Sequence, residues 1–291
     1  MRILILGGAG MLGHRLVVDL SKDFEVWTTL RGSVHAYEQH GVFDPARTLE
    51  GVDVLNFDAV TEAMARVRPD AVINCIGIIK QLAAAQDPFL SVSINALLPH
   101  RLHRLCLATG ARLIHFSTDC VFSGRTGNYT DDDPSDALDL YGRSKFLGET
   151  RGEGALTIRS SIIGHELESK SGLLEWFLSQ RGRRIQGYRR AIFSGFTTPE
   201  MARIVGMLLS EHPRLSGTLQ VSSAPISKYE LLLLIRQVYG IDVEILPDDT
   251  VEIDRSLDST RFRRLTGYEP PSWPGMIEEM AGSRCSTTKP S

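Results

Sequence analysis

The chain has 291 residues, with 32 Lys+Arg against 35 Asp+Glu, a formal net charge of -3 and 42% hydrophobic residues. Scattered acids and bases in near balance exclude a dedicated nucleic-acid binder, which would carry a clustered basic face. This much apolar content excludes a disordered chain, and at roughly 100–200 residues per domain the length predicts two lobes sharing one cleft.

In chain order, Arg2–Leu6 reads as a strand, Leu12–Leu20 as a helix, Glu25–Leu30 as a second strand and the stretch near Val52–Leu55 as a brief third. A helix over Ala59–Val67, a strand at Ala71–Cys75, a helix over Asn95–Ala108 and strands at Arg112–Ser117 and Ala155–Ser160 follow. Strands that alternate with helical periodicity signal βαβ units. The strands are almost wholly apolar, as strands covered on both faces are. Residues 1–158 are therefore predicted to form a Rossmann-type, doubly wound parallel sheet.

After Arg159 the pattern changes. A Ser/Gly/Glu segment over Ser160–Gly172 leads to a helix at Leu173–Gln180 and an arginine-rich stretch. Thr198 is placed to cap a helix whose first residue is Pro199. Gly217–Ser222 reads as a strand, and Ser227-Lys228-Tyr229-Glu230 has capping-box spacing ahead of a Leu231–Val238 helix. Residues 159–195 and 215–281 are predicted to build a smaller α/β substrate-binding lobe, with 196–214 returning to pack on the first domain. Gly282–Ser291 is expected to be a disordered tail.

Met1 leads straight into the first strand without the charged, apolar and small-residue segments of a signal peptide. Cys75, Cys106, Cys120 and Cys285 are far apart and lack metal-ligand spacing, which predicts reduced thiols, no disulfide and no metal. The apolar run Leu231–Ile235 is far short of the ~20 residues that cross a bilayer. A cytoplasmic protein with neither membrane nor nucleic-acid partner is expected.

Gly7, Gly10 and Gly13 form GxxGxxG between the first strand and first helix. Such glycines permit a tight turn, let the amides of Met11, Leu12 and Gly13 approach a pyrophosphate, and let helix and strand pack closely. At the end of the second strand, where an NAD site offers an acid to the ribose 2′-hydroxyl, this chain has Arg31, which suits a 2′-phosphate. NADP(H) is thus preferred, with NAD(H) as the alternative; an ordinary surface arginine is the other reading of Arg31. Asp53 is placed either to accept from the adenine amino group or to make a turn.

Tyr141 and Lys145 stand at i and i+4, neighbours on one helix face. A free phenol titrates near 10 and is a poor proton shuttle at neutral pH, whereas a fixed cation beside it favours the phenolate. Ser117-Thr118-Asp119, about two dozen residues earlier, ends a strand and offers a hydroxyl to the same reacting oxygen.

These motifs, with Asn74-Cys75-Ile76-Gly77, Asn95, Ile158-Arg159-Ser160-Ser161, Thr197-Thr198-Pro199 and Leu257-Asp258-Ser259-Thr260, occur in an order that resembles the extended short-chain dehydrogenase/reductases. The likeness is to their nucleotide-sugar 4-ketoreductase branch, typified by dTDP-4-dehydrorhamnose reductase. The resemblance implies that Thr118 hydrogen-bonds the substrate carbonyl and that Tyr141 donates the proton. Lys145 would lower the Tyr141 pKa and hold the nicotinamide ribose, Asn95 would support the lysine, and Cys75 and Gly77 would line the cofactor. The reaction implied is hydride transfer from NADPH to C4 of a nucleotide-linked 4-keto-6-deoxyhexose. Dehydratases of the superfamily place an Asp-Glu pair after the catalytic Thr; here Cys120 follows Asp119, which disfavours dehydration. A 4-epimerase with retained NAD and a non-catalytic NADP-binding regulatory subunit, like that of methionine adenosyltransferase, stay as alternatives.

Ser160, Ser161, Trp176 and Arg184 are the candidate substrate-side residues, with His165 and Glu166 in the same region. Arg181, Arg183, Arg184, Arg189 and Arg190 either meet a diphosphate, whose oxygens match arginine forks, or are solvated surface charges. Ile78-Ile79-Lys80-Gln81 departs from the Ala/Thr-rich segment of the rhamnose enzymes, which leaves the sugar open. A nucleotide sugar is the expected partner, and a homodimer the candidate assembly.

Overall fold

The computed structural model describes residues 1–80, 83–168 and 170–283. β1 (Arg2–Leu6) runs into α1 (Met11–Leu20), followed by β2 (Glu25–Thr29) and β3 (Thr48–Leu49). α2 (Phe57–Val67), β4 (Ala71–Asn74), the short α3 (Pro88–Ser91), α4 (Leu98–Thr109) and β5 (Arg112–Phe116) come next. α5 (Leu140–Leu147) and β6 (Ala155–Arg159) complete the alternating half. These strands join β10 (Gly217–Gln220) in one seven-stranded sheet, ordered β10-β6-β5-β4-β1-β2-β3. All its pairings are parallel. Ile3 and Ile5 bury one face of β1 against α1 and α7 (Thr198–Ser210), while Leu4 and Leu6 bury the other towards α2 and α4. Two covered faces explain why the strand sequence shows no polar alternation.

Four details differ from the sequence reading. The third strand is Thr48–Leu49, not Val52–Leu55: Gly51 has a positive φ of 69°, and the Asp53 carboxylate accepts from the Leu55 amide, so the chain turns there. The helix expected over Asn95–Ala108 opens as a π-helical stretch, Val92–Leu97, before α4. Pro99 lacks the N–H that would bond the Asn95 carbonyl. The cap of α7 is Thr197 rather than Thr198, with no side-chain hydrogen bond. Finally, the strand beginning at Gly217 is the edge of the large sheet, paired with β6, and does not belong to the smaller lobe. A local strand pattern names no partner; Thr157 and Ile158 of β6 supply it.

The smaller lobe pairs β8 (Arg184–Phe193) in parallel with β12 (Glu244–Asp254) and antiparallel with β11 (Ile226–Ser227). α8 (Lys228–Tyr239) begins with the capping box formed by Ser227 and Glu230 and buries Leu231, Leu232 and Ile235. β7 (Ile162–Ile163) and β9 (Phe196–Thr197) form a two-stranded link. α6 (Leu173–Leu178), α9 (Thr260–Thr266) and α10 (Trp273–Gly282) complete the chain. Gly282 still belongs to α10 and the Ser283 hydroxyl donates to the Met280 carbonyl, so the expected tail does not begin at 282; residues 284–291, Cys285 among them, lie outside the described residues, as does Gln81.

Candidate active site

The β1–α1 turn is built around missing side chains. Gly7 has φ +85°, and a Cβ there would lie 2.7 Å from Ile76 Cγ1. A Cβ at Gly13 would collide with the Gly7 carbonyl oxygen, so only glycine lets α1 approach β1 this closely. Gly10, exposed, is the N-cap and offers no side chain. The first bond back to it comes from the His14 amide, which leaves the Met11, Leu12 and Gly13 amides without partners inside the helix. Beyond Gly10 the nearest atom a Cβ would meet is 3.4 Å away. This is an open cradle of amides at a helix N-terminus, which fits a dinucleotide pyrophosphate.

Arg31 and Asp53 lie on adjacent loops: the Val52 amide donates to the Leu30 carbonyl at 3.0 Å. Arg31 is exposed. Asp53 makes the turn described above, the second of its two readings.

Beyond β4, the Cys75 amide donates to the Leu6 carbonyl, and burial pushes its thiol far up, so it stays protonated. A Cβ at Gly77 would sit 3.3 Å from Asn95 Oδ1 and 3.7 Å from Lys145 Nζ; glycine lets the backbone lie against both. Asn95 clasps the Ile78 backbone: the Ile78 amide donates to its Oδ1 at 2.9 Å, and its Nδ2 donates to the Ile78 carbonyl at 3.1 Å. The same Nδ2 donates to Ser144 Oγ at 3.3 Å. Asn95 thus fixes the loop and α5 next to the lysine without a direct bond to it.

Thr118 and Tyr141 meet because α5 rides on the turn after β5. A Cβ at Gly142 would collide with the Cys120 carbonyl oxygen. Asp139 caps the helix by accepting from the Gly142 amide at 2.8 Å, and Lys80 Nζ donates to its other oxygen at 2.6 Å. The Thr118 hydroxyl lies close enough to the Tyr141 phenol to act on its titration, and it donates to Asp119 Oδ1 at 3.0 Å while accepting from the Cys120 amide at 3.1 Å. Burial raises the Tyr141 phenol well above its ordinary value, with Cys120, Asp119 and Asp139 pushing the same way and Thr118 opposing. Lys145, 6% exposed, donates to the Phe116 carbonyl at 2.5 Å; burial lowers it to about 8 against the raising effects of Glu149 and Cys75. In the free chain burial is the largest influence on the Tyr141 phenol; the lowering by Lys145 that the resemblance implies stays an expectation. A protonated phenol is the form that can donate.

Residues 1–166 match the family described as the RmlD substrate binding domain. The chain belongs to the RmlD family of extended short-chain dehydrogenase/reductases. That family comprises NAD(P)-dependent oxidoreductases. Its relatives include the dTDP-4-dehydrorhamnose reductase of Streptomyces griseus, 33% identical over 51% of this chain and 43% of that one, so the match spans under half of that reductase. The spore coat polysaccharide biosynthesis protein SpsK of Bacillus subtilis is 26% identical over 98% of both chains. A crystal structure of a hypothetical dTDP-4-dehydrorhamnose reductase from Sulfolobus tokodaii superposes with a TM-score of 0.78 at 26% identity, covering 95% of this chain and 99% of that one. Among the described residues no helix is long and apolar enough to cross a membrane.

On the substrate side of this RmlD-family chain, Ser160 is buried and donates to the Ser161 carbonyl, while Ser161 lies near enough to Asp119 to oppose the rise that burial causes in its carboxyl. Trp176 is on α6, 39% exposed. Arg184 is not brought to the Thr118–Tyr141 corner: it is exposed at the start of β8 in an ion pair with Glu244 at 2.7 Å. Arg189 and Arg190 pair with Asp249 and Glu252 in the same way. The parallel β8–β12 register sets Arg184 opposite Glu244 and Arg190 opposite Glu252, so the reading as solvated surface charges holds for these three. His165 packs between elements, its Nδ1 donating to Glu175 at 2.7 Å and its Nε2 accepting from the Tyr239 hydroxyl at 2.9 Å. Glu166 accepts from the Gly172 amide.

The sequence reading missed a buried group behind the site. Ser117 Oγ donates to Glu149 Oε1 at 2.9 Å, and Arg159 forks onto both Glu149 oxygens at 2.7 and 2.8 Å. The signal was available: Glu149 continues the i, i+4 spacing from Tyr141 through Lys145.

Proposed function

We propose that the protein is an NADPH-dependent reductase of the C4 keto group of a nucleotide-activated 4-keto-6-deoxyhexose, of the dTDP-4-dehydrorhamnose type, acting in the cytoplasm in deoxysugar and polysaccharide biosynthesis. The observation that carries the reading is the juxtaposition of the Thr118 hydroxyl and the Tyr141 phenol on one corner with buried Lys145. The names of the Streptomyces and Bacillus relatives support both the substrate class and the biosynthetic setting.

The Met11–Gly13 amides would hold the pyrophosphate, and Arg31 the 2′-phosphate that distinguishes NADPH from NADH. When bound, the cofactor supplies the hydride. The chain's own residues handle the oxygen. Tyr141, protonated at neutral pH, gives its proton to the keto oxygen as that oxygen becomes a hydroxyl, and Thr118 helps to orient the oxygen. Lys145, cationic below about 8, sits where the ribose is expected and offers a positive charge as Tyr141 loses its proton.

The test is NADPH consumption across a panel of dTDP-, UDP- and GDP-4-keto-6-deoxyhexoses. Turnover with one of them supports the reading. Equilibration of C4 epimers without net NADPH use points to an epimerase, and inactivity with the whole panel to a binding role. Arg31→Ala should weaken NADPH by about tenfold or more and leave NADH nearly unchanged, since only one of them carries the extra phosphate; equal losses would refute the 2′-phosphate assignment.

A further inference from the structure

Three arginines of the smaller lobe are spent on surface carboxylates, Arg184 on Glu244, Arg189 on Asp249 and Arg190 on Glu252. Arg255, just after β12, is not. The backbone on either side of it is fixed against the segment that follows the Thr118 turn. The Asp254 amide donates to the Gly124 carbonyl at 2.8 Å, and the Ser256 hydroxyl and carbonyl accept from the Asn128 and Tyr129 amides at 2.8 and 2.9 Å. Leu257 is buried with Val121, Phe122 and Tyr129. Gly124 has φ +85°, and a Cβ there would lie 3.0 Å from Arg255 Cγ, so glycine leaves room for the arginine stem.

The side chain of Arg255 is directed by one bond: its Nε donates to the Phe122 carbonyl at 2.8 Å. Asp119–Val121, between Thr118 and Phe122, form a 3-10 turn, which at about 2 Å of rise per residue keeps the Phe122 carbonyl within roughly 10 Å of the Thr118 hydroxyl. The positive charge favours the ionised forms of Asp119, Cys120 and Asp139, as a guanidinium facing that turn and the cap of α5 would. Yet among the described residues no carboxylate lies within ion-pair distance of Arg255, and its two Nη groups have no hydrogen-bond partner. The residue is partly buried, so this open fork has given up part of its hydration without gaining a counterion.

A planar fork with one edge already fixed is a preorganised receptor for phosphate oxygens. The substrate keto oxygen goes to Thr118 and Tyr141, and the cofactor pyrophosphate to the Met11–Gly13 amides. The anion left without a cation is the diphosphate of the sugar nucleotide, which a hexose ring and its glycosidic oxygen hold away from C4, a span that suits the separation of Arg255 from the corner. We propose that Arg255 is the ligand of the substrate diphosphate, its Nη1 and Nη2 taking the phosphate oxygens of a nucleoside diphosphate sugar whose C4 lies between Thr118 and Tyr141. The assignment rests on the reductase reading above.

Nucleotide binding by the whole chain tests it, with NADP+ saturating so that the cofactor's own pyrophosphate site is filled. dTDP, UDP and GDP are titrated calorimetrically into wild type, Arg255→Ala and Arg255→Lys. At least one should bind wild type, and Arg255→Ala should weaken it by about tenfold or more. Arg255→Lys keeps a charge but loses the fork, and should fall between the two. NADP+ affinity, measured separately, should be level across all three. In turnover, KM for the sugar nucleotide should rise in the same order while KM for NADPH stays level. Failure of wild type to bind any of the three diphosphates, equal affinity in wild type and Arg255→Ala, or loss of NADP+ affinity in both variants would overturn the assignment. Diphosphate binding that Arg255→Ala weakens, with no keto sugar turned over, would uphold Arg255 and sink the reductase reading. Turnover by wild type with undiminished diphosphate affinity in Arg255→Ala would do the reverse.

Discussion

Two sets of arginine–carboxylate pairs sit at opposite extremes of this fold. The Arg159–Glu149 pair lies under the site, with side chains 2% and 1% exposed, while Arg184, Arg189 and Arg190 pair with acids across the open surface of β8 and β12. In sequence the second set attracts attention, as three of five arginines in ten residues; in three dimensions the isolated Arg159 carries more consequence. A buried carboxylate and guanidinium have lost their hydration and depend on one another, whereas solvated partners gain little from pairing. Charge density in a sequence is therefore a poor guide to where charge matters; burial decides.

The contrast can be broken most severely at Glu149. Glu149→Ala strands the Arg159 guanidinium in the interior and leaves Ser117 without its acceptor, which should lower stability by about 3–5 kcal/mol, read as a shift in urea midpoint. A smaller loss should come from acid. His14, buried in α1 with its Nδ1 on the Gly10 carbonyl, is lowered by burial to about 4 from 6.5. Between those values the unfolded chain binds the proton and the folded chain does not. The contribution is thus full above pH 6.5 and falls by about 3 kcal/mol as pH drops through that window to 4. His14→Gln should flatten the slope of stability against pH over that range. The smallest effect is expected at the surface: Arg184→Ala should change stability by less than about 1 kcal/mol, and less still in high salt. A larger change there would show that exposure is the wrong criterion.

Some of this arrangement was legible before any coordinates. Gly7, Gly10 and Gly13 are readable because their role is steric and local: absent side chains at fixed offsets admit amides and a close helix. Tyr141 and Lys145 are readable because a helix turns i to i+4. The misplaced third strand shows the limit, since Gly51 and the Asp53 turn override the apolar run Val52–Leu55. The sheet partner of Gly217–Gln220 was not readable, because pairing with β6 is a long-range choice. Nor was the state of Tyr141. The sequence shows a cation four residues away, but not the burial that raises the phenol, nor the Cys120 thiol and the Asp119 carboxyl that push the same way from the turn after β5. Arg184 misled for the same reason, its carboxylate partner lying sixty residues on, at Glu244.

The decisive experiment compares wild type with Tyr141→Phe in NADPH oxidation driven by a dTDP-4-keto-6-deoxyhexose, with NADPH affinity measured alongside. Wild type should turn over, and the Phe variant should bind NADPH normally while losing roughly 10²–10⁴-fold in kcat, the range expected when a positioned proton donor is removed. Undiminished turnover in Tyr141→Phe would contradict Tyr141 as the proton donor and, with it, the mechanism built on the Thr118–Tyr141 corner.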